Sequence, residues 1–311
     1  MKKQLLTACL LAASCIALSA QDSAESFRSR YDAMVRRVGY DGVGVETMLE
    51  RWEKAYPEDP DMLTARFNYY LLKSATSEIK PKQQERFMGN RPTLVLKDSL
   101  GADVNYFEET VYSDSLFALS SQAMDQAIRL YPDRLDFRFS KITSLIGYEK
   151  ESPDMATSAI SALIDYNGTA HPVWKYGTET ADKDMFESGI QEYCATFFTI
   201  GSPTSYESFR TLSEKMLKYD PKNPLFLSNV GTYYFIARND HKTARKYYDK
   251  VLKADPSNYT AIKNSVLMAR RDNNVKLEKK YLPMLAKYGA DEAEKYAAQS
   301  RLNALTSKKQ K

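Results

Sequence analysis

The chain has 311 residues, with 44 Lys and Arg against 40 Asp and Glu and a formal net charge of +4. So even a balance gives no electrostatic case for a nucleic-acid partner, which calls for a concentrated basic stripe. The length is ample for a packed core, so the fold needs no help from cross-links or metals.

Lys2 and Lys3, the apolar run Leu5–Leu18 and the small-residue stretch Leu18-Ser19-Ala20 before Gln21 have the form of a bacterial secretory signal over residues 1–20. Export to the periplasm or cell envelope, or secretion, is therefore expected. A competing cut stays open: Leu11-Ala12-Ala13-Ser14-Cys15 passes a permissive lipoprotein pattern and would leave a lipid anchor on Cys15. Against it, Ile16-Ala17-Leu18 continues the apolar run where such signals turn polar. Cleavage after Ala20 removes both Cys9 and Cys15, leaving Cys194 alone without a disulfide partner. Cys194 sits in the apolar helical stretch Ile190–Phe198, with no cationic or His neighbour to activate a thiol, and reads as a buried small side chain. Beyond the signal no apolar run approaches the roughly 20 residues that span a bilayer.

The ordered part opens with a helix over Ser23–Val38, with Phe27, Tyr31, Met34 and Val35 forming one apolar stripe. Gly39–Gly44 stops it. A second helix, Val45–Tyr56, turns at Pro57–Pro60 into a third, Asp61–Ser74, for which Asp59 before Pro60 supplies a cap and a first-turn proline. From Lys80 to Asp114 the helical period disappears. Thr93–Lys97, a turn rich in Asp, Ser and Gly, and Val104–Phe107 predict a small β-hairpin insertion near residues 93–107, projecting from the helices or packing on their edge. Helices resume over Ser115–Tyr131, Leu135–Tyr148 and Asp154–Tyr166, closing an N-terminal part of residues 21–166. An irregular connection over 167–180 carries His171, Pro172 and Trp174, which reads as a plug between the two halves. A C-terminal part, 181–306, then holds helices at Lys183–Thr199 and Ser205–Tyr219, followed after Tyr219 by the most regular stretch of the chain and by a capping helix at Asp291–Leu305. Ser307–Lys311 is a basic tail with too few lysines for firm membrane attachment.

One phrase repeats: an amphipathic run ending on an aromatic or Asp and then Pro, followed at once by another such run. It occurs at Trp52–Pro57, Met124–Pro132, Met216–Pro221 and Val251–Pro256. Recurrence of helix, Pro-marked turn and helix predicts an all-α solenoid of stacked helical hairpins. Residues 223–256 resemble one full tetratricopeptide repeat: Leu227, Val230, Gly231 and Tyr234 match the first helix, Ala244, Tyr248 and Val251 the second, and Pro256 closes the unit. Gly231 and Ala244 are small where the two helices approach, and Tyr234 and Tyr248 fill the gaps beside them. A following unit starts with Ile262, Ser265, Val266 and Ala269 and continues over Val275–Tyr288, departing from the pattern at Pro283. Upstream the hairpin phrase persists and the Gly and Ala pair is lost.

The resemblance implies that first helices of successive hairpins line a surface that holds peptides. Asn264 lies 35 positions after Asn229 and so occupies the equivalent place in the next unit, with Lys263 beside it. Two amides and an ammonium suit a peptide backbone or terminal carboxylate, so Asn229, Lys263 and Asn264 are the candidate peptide-binding residues. The doublets Tyr69-Tyr70, Tyr233-Tyr234 and Tyr247-Tyr248 should each place one ring in the core and the other at a rim.

Nothing in the sequence points to chemistry. Its two histidines, His171 and His241, are far apart and each in a turn, so neither a metal site nor a nucleophile-His arrangement is expected. Glu108-Glu109 and Glu292-Glu294 are pairs such as any charged helix face offers, and Gly39–Gly44 lacks the preceding strand and Lys of a phosphate loop. The reading is thus an exported, non-catalytic scaffold without cofactor or metal that binds a protein or peptide in the cell envelope. The alternative is an envelope module for a glycan or small ligand, and after it a hydrolase whose residues are not recognisable.

Overall fold

The computed structural model describes residues 23–307; the expected signal with Cys9 and Cys15, and the last four residues of the tail, lie outside it. Helix starts follow from local chemistry. Asp59, just ahead of Pro60, accepts from the Asp61 N–H, and Asn223, Asp240, Asn258 and Asn274 cap their helices in the same way. Tyr56, Tyr131, Asp220 and Asp255 end theirs, and the proline after each, having no N–H to donate, turns the chain.

Thirteen helices result among the described residues, twelve of them paired. The hairpins are α1 (Ala24–Val38) with α2 (Val45–Ala55), α3 (Pro60–Ser74) with α4 (Asp114–Leu130), α5 (Leu135–Glu149) with α6 (Asp154–Ala170), α7 (Lys183–Ile200) with α8 (Pro203–Tyr219), α9 (Pro224–Ile236) with α10 (His241–Ala254), and α11 (Tyr259–Arg271) with α12 (Val275–Tyr288). α13 (Glu292–Ser307) packs on α12 and closes the row. Each hairpin packs within itself and on its neighbour in sequence, so the fold is an all-α solenoid of stacked helical hairpins with a β insertion. Pro283 is accommodated inside α12, which runs on to Tyr288. α6 continues to Ala170, past the expected stop at Tyr166, so the irregular connection is shorter than the sequence suggested.

The insertion is a three-stranded antiparallel sheet, larger than the expected hairpin, with order β1 (Ala75–Lys82), β3 (Asp103–Tyr112), β2 (Leu94–Lys97). β2 and β3 are the hairpin read from sequence. β1 follows α3 without a loop, and Ala75 pairs with Tyr112, while Ser113 N–H donates to Ser74 O at 2.8 Å. The ribbon thus leaves and re-enters the second hairpin at one point, and α3 and α4 still pack side by side. A two-residue pair, β4 (Lys175–Tyr176) with β5 (Glu179–Thr180), occupies the later connection.

Apolar side chains form clusters strung along the row. Trp52 stacks on Phe27 in the first, a central one runs from Phe117 on α4 to Tyr233 on α9, and two more surround Tyr248 and Tyr281. Trp174 is a buried member of the central cluster, stacked on Phe186, with its indole N–H donating to Asn167 Oδ1 at 2.8 Å. The connection is therefore sewn into the packing on both sides of it.

The C-terminal end is fastened by a charge. Glu278 on α12 is 2% exposed and accepts from Arg270 Nε of α11 at 2.8 Å and from Arg301 Nε and Nη2 of α13 at 2.9 and 3.1 Å. The Arg301 guanidinium holds its carboxyl below the ordinary carboxylate range against the opposing effect of burial, with Arg270 helping. Glu278→Gln is expected to cost about 1–2 kcal/mol, since both arginines are part-exposed and recover solvation. Hydrogen exchange should then quicken in α13 before any other helix.

Candidate functional site

The unit at 223–256 shows why its pattern residues are what they are. A Cβ on Gly231 would stand 2.9 Å from the Tyr248 ring, so only glycine lets α9 and α10 close on it. Ala244 and Tyr248 are fully buried, Leu227 nearly so, while Tyr234 lies half-buried with its ring stacked on Tyr247. Pro256 is exposed in the turn. The Tyr248 hydroxyl, pushed up to about 12 by burial, meets Thr232 Oγ1 at 2.9 Å and accepts from Asn264 Nδ2 at 2.8 Å. In each Tyr doublet one ring is buried (Tyr69, Tyr233, Tyr248) and its neighbour partly exposed.

Three successive first helices carry a strip at matching positions, exposed all along α7, at Thr260, Leu267 and Arg271 of α11, and at Leu225 and Ile236 of α9. Ser188, Glu192, Ala195 and Thr199 on α7 correspond to Leu225, Asn229, Thr232 and Ile236 on α9 and to Thr260, Asn264, Leu267 and Arg271 on α11. Steps of four, three and four put each set on one helix face, opposite the buried residues Ile190, Cys194 and Phe197 on α7 and Ile262, Val266 and Ala269 on α11. Leu225, Ile236 and Leu267 are among the exposed large apolar side chains.

Asn229 and Asn264 thus sit in equivalent places on one strip, as their spacing implied, but their amides are not free. Asn229 is buried; it donates to Gln191 Oε1 at 2.6 Å and Ser213 Oγ at 3.2 Å and accepts from Gln191 Nε2 at 3.3 Å. Asn264 makes the same kind of reach to Tyr248, 35 positions after Ser213. Both amides latch a first helix to the hairpin before it. Lys263 lies at the strip's edge, donating to Tyr259 Oη at 2.7 Å and standing 3.2 Å from Glu294. The three expected peptide ligands therefore meet inter-helix partners. Sequence spacing located the strip through Asn229 and Asn264; it held no sign that a preceding Gln191 or Tyr248 would claim their hydrogen bonds.

The inserted sheet lies along the row of hairpin turns. Gln84 Nε2 donates to Glu151 Oε1 at 2.9 Å beyond α5. Gly89, with a left-handed φ of +79°, lies where a Cβ would stand 2.6 Å from the Thr199 carbonyl at the end of α7. The insertion from the second hairpin thereby touches the third and fourth. At its root Glu109, buried on β3, has Lys82 Nζ at 2.9 Å and an ion pair to Lys150 at the end of α5.

A cleft of about 460 Å³ opens beside the later connection, with Ile164, Trp174, Phe186, Met216 and Tyr219 on its walls and His171, Lys183, Glu187 and Asp220 at its polar edge. Lys183 bridges Glu187 and Asp220 there. His241, by contrast, contacts Asp272 Oδ1 through Nδ1 at 2.5 Å, at the start of α10. Cys194 is fully buried, its thiol pushed up to about 12 by that burial. Among the described residues no three His, Cys, Asp or Glu side chains gather as a metal-ion group, and no helix is long and apolar enough to cross a membrane.

No family model and no curated protein matches the chain. Solved structures that resemble it are PilF of Pseudomonas aeruginosa (9% identity, TM-score 0.37, covering 89% of this chain and 97% of that one) and a monomeric IFIT1 mutant with m7Gppp-AAAA (12%, TM-score 0.33, 85% and 50%). A third is the flexible tandem repeat domain of a bacterial cellulose synthase component (14%, TM-score 0.28, 92% and 98%). This chain thus spans half the length of the IFIT1 chain and nearly all of the other two.

Proposed function

We propose that this protein is a non-catalytic scaffold of the bacterial cell envelope, exported by its N-terminal signal, that holds a protein or peptide partner along the first-helix strip of α7, α9 and α11. The observation that supports it is the register of that strip: three helices carry matching positions, with Leu225, Ile236 and Leu267 as exposed apolar anchors and Glu192 and Arg271 as exposed polar neighbours. A guest laid across the helices would bury those side chains in series. Photo-crosslinking residues placed at Ala195, Ile236 and Leu267 are expected to trap one polypeptide in envelope preparations, and residues at Lys218 and Lys287 on second helices to trap none. Leu225→Glu with Leu267→Glu should abolish the adduct while leaving the far-ultraviolet circular dichroism unchanged. Equal trapping from both rows of helices would sink the proposal.

The cleft at Trp174 supports a second reading, a site for a glycan or small ligand. Its volume lies in the range of ligand pockets, and aromatic walls with a polar edge suit a sugar ring. Soluble cell-wall oligosaccharides should raise the melting temperature if that reading holds, and Tyr219→Ala should remove the rise.

A further inference from the structure

The near-even net charge hides an uneven distribution along the solenoid. Residues 101–200 carry 7 Lys and Arg against 16 Asp and Glu, whereas residues 238–307 carry 15 against 8. The basic excess is concentrated on second helices. On α10, Lys242, Lys246, Lys250 and Lys253 are all exposed and follow one another at steps of four, four and three. They form a single file on the side opposite Ala244, Tyr248 and Val251, the buried stripe of the same helix. Their backbone positions rise along the axis by about 6, 6 and 4.5 Å.

The neighbouring acids form no ion pair with this row. Asp240 caps α10 and meets the row only through the charge of Lys246, Asp272 holds His241 and Arg245, and Asp249 accepts from Tyr281 Oη at 3.1 Å and has Lys280 Nζ at 3.7 Å. No carboxylate among the described residues lies within ion-pair distance of Lys242, Lys246, Lys250 or Lys253; Lys250 only overlies the Tyr247 ring. The Asp249 contacts also set α12 beside α10, and α12 adds Lys276 and Lys279, likewise without an ion pair. Two adjacent helices therefore present a broad basic face on the wet side of the stack.

We propose that this face docks on a membrane surface rich in anionic lipid headgroups, a second contact apart from the first-helix strip. Charge complementarity over a broad surface is all a headgroup layer requires. A single-stranded nucleic acid would want exposed rings on which bases stack. Here Tyr248 and Tyr281 are buried and the Tyr247 ring is already stacked on Tyr234.

The test uses the purified protein and vesicles of phosphatidylcholine with or without 30% phosphatidylglycerol, read by co-sedimentation at about 0.1 M salt, where screening acts beyond roughly 10 Å. Binding is expected to the anionic vesicles alone and to weaken as salt rises. The quadruple variant K242E/K246E/K250E/K253E should lower it by at least about tenfold with an unchanged circular dichroism spectrum. A control of equal charge change at exposed residues of the first hairpin, R36E/R37E/R51E/K54E, should bind as the parent does. Absence of binding to anionic vesicles, an undiminished quadruple variant, or equal loss in the control overturns the proposal. So does tighter binding to a single-stranded 20-mer than to vesicles at the same salt, which would make the partner a nucleic acid.

Discussion

Tyr248→Ala is expected to lower the unfolding free energy by about 4 kcal/mol, the cost of emptying a fully buried aromatic site together with the loss of its hydroxyl contacts. The ring lies against Gly231 of its own hairpin, and the hydroxyl joins Thr232 of α9 to Asn264 of α11. One side chain thus secures a hairpin and its seam with the next. In a stack stabilised by neighbour contacts the damage should stay local: hydrogen exchange is expected to accelerate across α9–α12 while α1–α4 keep their protection. Tyr248→Phe separates the two contributions, since it retains the ring and leaves the Asn264 amide short of an acceptor, for an expected loss of about 1–2 kcal/mol. A uniform rise in exchange along the whole chain after Tyr248→Ala would show instead that the solenoid melts as one unit.

The same geometry explains which parts of the fold were legible in the sequence. A helix end marked by an aromatic or Asp before Pro is a local signal, because the cap and the missing N–H act within a few residues, and every such phrase marks a helix end in the structure. Gly231 and Tyr248 were legible as a pair because close approach at one position demands a filler beside it. β1 was not. Its residues Ala75–Lys82 are mostly exposed and include Pro81, which suits an edge strand but erases the alternation by which strands are read. The extra turn of α6 was missed because Gly168 and Asn167 look like a stop. In the structure Gly168 lies beneath the Tyr219 ring and Asn167 holds the Trp174 indole, and both contacts come from residues outside the helix. Likewise the amide of Asn229 is claimed by Gln191 from 38 positions away, a pairing no local pattern discloses.

Glu109→Gln should give the largest effect on the insertion, about 2–3 kcal/mol, because removing one member of a buried charge cluster leaves the others poorly compensated; partial exposure of the lysines keeps the figure below that of a fully buried pair. Burial pushes this carboxyl up, but the ammonium groups of Lys150 and Lys82 together pull it down by more, and the net displacement is below the ordinary carboxylate range. A depressed carboxyl contributes stability that is fully present above its unfolded value, near about 4.3, and is lost as pH falls through the lower folded value. The parent protein should therefore hold its stability from neutrality down to about pH 5 and lose part of it below, whereas Glu109→Gln should start lower and show a shallower fall over that acid window. Since Glu109 ties β3 to the end of α5, the variant should also loosen the loop that carries Gly89 to Thr199. Limited proteolysis within residues 83–92 is the direct check. Cleavage there no faster than in the parent would mean that the Gln84 and Gly89 contacts hold the sheet against the turns without the charge cluster.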